Sequence, residues 1–163
     1  MTTTKITILL LLAVFIGDAG AQQDEAQVRL EEVTNFAVVA RMAAAKRTPI
    51  LLLVSQAHCG FCTQIKEQIL GPMILSGDYD NTLLIRELFI DYGSRVRDFQ
   101  ENDVDSGSFA LRYQVYLTPT LLFIGPDGKE LTERLVGIQT PELFFFYVES
   151  AVEKAIASLR TRS

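Results

Sequence analysis

Cysteine is nearly absent from this chain. Its 163 residues contain two, both within the stretch Cys59-Gly60-Phe61-Cys62. So few cysteines exclude the disulfide scaffold of small secreted domains, which needs several bridges closing longer loops. They also fall short of a four-ligand structural zinc site. The single histidine, His58, lies directly beside Cys59, a poor geometry for a third ligand, so no metal is expected. Runs of basic residues are missing too. With a net charge of −5 and no cluster of Lys and Arg, nucleic acid is not expected as a partner. Beyond the N-terminus no segment approaches the roughly 20 apolar residues that span a bilayer. The chain is nonetheless 48% apolar, enough for one domain with a single core and too apolar for a disordered chain.

The N-terminus reads as an export signal. Lys5 supplies a positive flank, residues 6–17 are uncharged and mostly apolar, and Ala19-Gly20-Ala21 offers the small residues a signal peptidase reads. Cleavage is expected after Ala21, which makes residues 1–21 a signal peptide and residues 22–163 the mature domain. The apolar run is short for a membrane span; an anchor facing the periplasm is the alternative.

Along the mature chain, residues 24–47 read as a helix that opens acidic and closes basic, with Val28, Val33, Phe36, Ala37, Ala40 and Ala44 at helical spacing. Residues 50–54 form a continuous apolar run, suited to a strand buried on both faces. Residues 62–70 have helical character, and Gly71-Pro72 marks a break or kink. Residues 82–91 are a second strand, residues 95–107 a polar irregular loop, residues 108–113 a short helix and residues 120–124 a third strand. Gly125-Pro126-Asp127-Gly128 is a turn, after which residues 130–136 pair back as a fourth strand. Thr140 and Pro141 are placed as N-cap and first residue of a closing helix, with Phe144, Val148, Ala151, Val152, Ala155 and Leu159 inward. A strand–helix–strand unit followed by a hairpin predicts an α/β fold with a mixed sheet and helices on both faces.

A C-x-x-C pair between a buried strand and a helix has a physical use. The helix N-terminus carries unpaired N–H groups and partial positive charge, so a thiolate is stabilised there near neutral pH. Cys59, nearer the surface, is expected to attack; Cys62, one turn inward, resolves the mixed disulfide. The alternative is an inert structural bridge, which would close too short a loop to add much stability.

With these residues in view the chain resembles the thioredoxin superfamily. Three features carry the likeness across residues 50–159: the strand leading into Cys59-Gly60-Phe61-Cys62, the tripeptide Thr118-Pro119-Thr120 before a hairpin, and the closing helix. The resemblance implies a thioredoxin-like fold with about four strands, and a cis Thr118–Pro119 bond beside the sulfurs that presents the Thr118 backbone to an extended client. An ordinary trans proline at a strand start is the alternative. Gly60-Phe61 resembles the dipeptide of periplasmic disulfide isomerases. His58 stands where thioredoxin has tryptophan; protonated, it could stabilise the Cys59 thiolate and make the pair more oxidising, or it is simply an exposed loop residue. Leu53 occupies the position of thioredoxin's buried aspartate. Glu87, on the neighbouring strand, either takes over as a proton relay beneath Cys62 or points to solvent on an edge.

In residues 95–107, Asp98, Glu101, Asp103 and Asp105 suggest calcium, but the spacing puts Val104 at a ligand position. The run from Phe144 to Tyr147 is either core or a hydrophobic patch for clients. The chain also resembles exported bacterial thioredoxin-like proteins of the SoxW type, through Ser55-Gln56-Ala57-His58-Cys59 and residues 113–137. The function this implies is a monomeric periplasmic thiol–disulfide oxidoreductase that needs no cofactor. It would reduce or isomerise disulfides in exported proteins and draw electrons from a membrane thiol–disulfide donor. Two alternatives stand beside it: an oxidase that donates disulfides, and a binding or chaperone module without redox turnover.

Overall fold

Strand β1 (Ile50–Ser55) is buried along its whole length, as expected of a strand with neighbours on both edges and cover on both faces. In the computed structural model, which describes residues 29–162, β1 runs parallel to β2 (Leu84–Phe89) and antiparallel to β5 (Thr120–Ile124). The proposed leader and the first residues of the expected opening helix lie outside the described residues. With β6 (Leu135–Val136) the central sheet has the order β2-β1-β5-β6. The fold is therefore the expected thioredoxin-like α/β arrangement, a mixed sheet of four strands flanked by helices.

Alternation along β1 divides the core in two. Leu51 and Leu53 join Ile65, Leu70, Phe123 and Val148 on one face. Ile50, Leu52 and Val54 join Phe36, Val39, Phe109 and Leu122 on the other. That second face is built on α1 (Phe36–Lys46) and α4 (Ser106–Arg112), whose Phe36 and Phe109 rings stack with centroids 4.3 Å apart. The first is covered by α2 (Gly60–Ile65), α3 (Gly71–Ser76) and α5 (Phe144–Arg162).

Several local expectations are corrected. Helix α1 begins only at Phe36, because Asn35 Oδ1 accepts the amides of Ala37 and Val38 and so caps it there. Its buried side is Phe36, Ala37, Val39 and Ala43, while Ala44 is exposed. The residues before it are extended instead of helical: Val33 N donates to Glu87 O and Glu87 N to Glu31 O, which covers the outer edge of β2. Gly71-Pro72 does not end the second helix. A π-helical turn (Lys66–Leu70) joins α2 to α3, with Gly71 N donating to Lys66 O; the widened turn admits a proline that has no N–H to offer.

Residues 95–107 are not an irregular loop. They form a hairpin of β3 (Arg95–Arg97) and β4 (Asp103–Asp105), with Val96 opposite Val104 and arginines opposite aspartates. Asp98 closes its turn by accepting from the Gln100 and Asn102 amides and from Arg112. The fourth strand is shorter than expected. Between a bridge at Glu130 and the start of β6, Arg134 leaves the ladder to donate to Tyr113 O and Glu130. Thr140 precedes a 3₁₀ turn (Pro141–Leu143) and its side chain makes no cap; α5 follows, burying Phe144, Val148, Ala151, Val152 and Ala155 as expected.

Candidate active site

Cys59 is the N-cap of α2, and its Sγ accepts the Cys62 amide at 3.1 Å. Cys62 is fully buried one turn further on, Cys59 is part-exposed, and the two are joined as a disulfide with their Cα atoms 5.2 Å apart. Between them Gly60 faces open space and Phe61 is 64% exposed. His58 is exposed as well. Of the two cysteines only Cys59 reaches the surface, the asymmetry that exchange by attack and resolution requires.

The Thr118–Pro119 peptide is cis. Because β5 lies antiparallel to β1 with Thr120 opposite Val54, the proline before β5 falls at the end of β1 that leads to Cys59. Thr118 Oγ1 donates to Gln56 Oε1 at 3.0 Å, a direct link between the two loops. Tyr116 and Leu117, just before this peptide, are 76% and 65% exposed.

Glu87 does not point to solvent. It is 3% exposed, its Oε1 accepts the Ser55 hydroxyl at 2.5 Å, and Lys66 Nζ lies 3.0 Å from the same oxygen. The edge reading fails because residues 31–33 pair along β2 and remove the edge. Glu87 shares its sheet face with Ile85, whose cluster includes Ile65 of α2. A cleft of about 370 Å³ opens beside the pair, bordered by Arg29, Thr63 and Phe89. Lys66 also sits over the Phe89 ring, 5.3 Å from its centroid. Leu53, where the family's aspartate would stand, is fully buried and pairs with Glu87 across the parallel ladder.

Four residues of this neighbourhood were given no role at the site by the sequence reading: Ser55, Gln56, Lys66 and Asp91. Asp91 accepts the Ala57 amide with both carboxylate oxygens, at 3.0 and 3.1 Å. Lys66 alone left a signal, lying one helical turn after Cys62. The aromatic run at the start of α5 divides: Phe144 is core, whereas Phe145, Phe146 and Tyr147 are exposed.

A mixed four-stranded sheet that presents a C-x-x-C pair at a helix start, with a cis-proline loop beside it, defines a protein built for thiol–disulfide exchange in general. The match to known families agrees: residues 36–151, more than half of the chain, fit the thioredoxin-like domain, and the protein belongs to that family. Among curated proteins none matches. Among solved structures, mitochondrial thioredoxin 3 from Saccharomyces cerevisiae, in its oxidized form, is similar at 17% identity and a TM-score of 0.50, over 74% of this chain and 94% of that one. A poplar thioredoxin h is similar at 21% identity and a TM-score of 0.49, over 73% and 96%. At 17% identity the likeness to the yeast protein concerns the fold alone.

Proposed function

We propose that this protein is a periplasmic thiol–disulfide oxidoreductase that reduces or isomerises disulfides in exported proteins. The observation that carries the reading is the unequal pair: Cys59 part-exposed at the start of α2 and Cys62 buried behind it. In the reduced protein the Cys59 thiolate attacks one sulfur of a client disulfide. That bond breaks, and the other client sulfur leaves as a thiolate and takes up a proton. Cys62, losing its own proton, then attacks Cys59 Sγ and expels the second client thiolate. Two electrons pass to the client, and the Cys59–Cys62 disulfide remains for a membrane dithiol donor to reduce.

Glu87 is the proposed acceptor of the Cys62 proton. Its burial, and its place on the sheet face that α2 covers, support this role. A Glu87→Gln protein whose exchange rate is unchanged from pH 6 to 9 would remove it. His58, Gly60 and Phe61 border the approach to Cys59, and Thr118 and Pro119 offer the client a backbone edge. Export by the 1–21 leader, monomeric action and kinship with the SoxW-type proteins complete the reading; N-terminal sequencing of the secreted protein should begin at Gln22.

The deciding assay is reduction of a disulfide-bonded protein with dithiothreitol as electron source. Wild type should turn over and Cys59→Ser should not. A reduction potential of roughly −270 mV supports a reductase, and one of roughly −120 mV an oxidase. The exposed Phe61, Tyr116 and Leu117 favour a second reading, client holding without turnover. Replacing both cysteines by serine separates the two, since only a holding module would keep its function.

A further inference from the structure

The last residue of β1 and the two that follow it on the way to Cys59 are each tied to something different. Ser55 Oγ donates to Glu87, and the Ala57 amide donates to Asp91; both partners are in or just after β2. Gln56, between them, reaches the opposite way, and its Oε1 accepts Thr118 Oγ1 at 3.0 Å. Its partner loop is itself held on both sides. Thr120 Oγ1 donates to Leu117 O at 2.7 Å, and Gly137 N donates to Pro119 O at 2.8 Å. The carbonyls flanking Thr118 are therefore occupied, whereas among the described residues nothing pairs with the Thr118 N–H or C=O, which leaves that peptide for a client chain.

We propose that Gln56 is a positioning residue for protein clients: by holding the Thr118 side chain, it sets the Thr118 peptide relative to Cys59, three residues further along its own loop. The inference rests on the exchange reading above and adds a specificity element to it. A client that pairs its backbone at Thr118 needs that peptide at a fixed distance and angle from the attacking sulfur. A small disulfide, which has no chain to pair, does not. Gln56 touches neither sulfur and transfers no proton.

The test compares reduction of a disulfide-bonded protein with that of oxidised glutathione. Gln56→Ala should raise the ratio of the KM for the protein to the KM for glutathione by about 3- to 10-fold, the size expected for one neutral hydrogen bond. Thr118→Val should reproduce that rise and Thr118→Ser, which keeps the hydroxyl, should not. The double variant Gln56→Ala/Thr118→Val should go no further than either single change, because both remove one interaction. An unchanged ratio, or effects that multiply in the double variant, overturns the proposal. A measurement without turnover stands beside it: in the oxidised protein Gln56→Ala should shift the backbone amide resonances of Leu117 and Thr118, and resonances that stay in place overturn it. Wild type that reduces neither substrate would count against the exchange function alone, leaving the resonance shifts to judge the latch.

Discussion

Lys66 Nζ lies 3.0 Å from Glu87 Oε1, so the helix that follows the redox pair is pinned to the sheet by a mostly buried ion pair. The pair is unequal: the Glu87 side chain keeps 4% of its surface in water and that of Lys66 keeps 25%. Removing the cation strands a carboxylate inside the protein, whereas removing the carboxylate leaves an amine that can turn outward. Lys66→Met should therefore destabilise by about 2–3 kcal/mol, below the ~3–5 of a fully buried pair, and Glu87→Gln by less. Urea denaturation of the oxidised proteins checks the order.

The hairpin turn gives a pH signature. Arg112 foremost, with the amides of Asn102 and Gln100, holds the Asp98 carboxyl down at about 2 from its ordinary 3.8, while burial pulls the other way. The folded pKa lies below the unfolded one, so the stabilisation is present above pH 3.8 and is lost as the pH falls towards 2. The stability difference between wild type and Asp98→Asn should shrink across that window and stay constant above it, as thermal melts at stepped pH would show.

In the aromatic stack, Phe109 is 1% exposed and its ring lies against those of Phe36 and Tyr113. Phe109→Ala should cost about 3–5 kcal/mol, the loss of transfer energy plus a cavity among rings that cannot close in. Chemical denaturation measures it.

Gly128 ends the β5–β6 turn at a φ of 75°, and a Cβ there would lie 2.9 Å from Phe99 Cε2. Gly128→Ala should destabilise by about 1–2 kcal/mol, through left-handed backbone and through displacement of that ring. A lowered melting temperature with an unchanged disulfide-exchange rate is the expected result.

In the reduced protein, iodoacetamide should label Cys59 about tenfold faster than Cys62, because reactivity follows exposure and thiolate character. Mass spectrometry of a time course reads the order; equal rates would contradict the division of labour between attacking and resolving sulfur.

What was readable in the linear chain was what local patterning encodes. The apolar run of β1, the turn at Gly125-Pro126-Asp127-Gly128, the inward stripe of α5 and the Cys59–Cys62 spacing each depend on neighbours a few residues away. The β3–β4 hairpin was missed: the charges of Arg-Val-Arg and Asp-Val-Asp read as a solvated loop, and only the pairing of the two segments makes them strands. Tertiary structure alone decided the environment of Glu87, Gln56 and Asp91, whose partners lie 32, 62 and 34 residues away. A carboxylate on β2 is solvated or buried according to whether residues 31–33 cover the strand's edge and whether Lys66 reaches across from a neighbouring helix. Those are long-range pairings, fixed when the sheet closes, and no local sequence period records them.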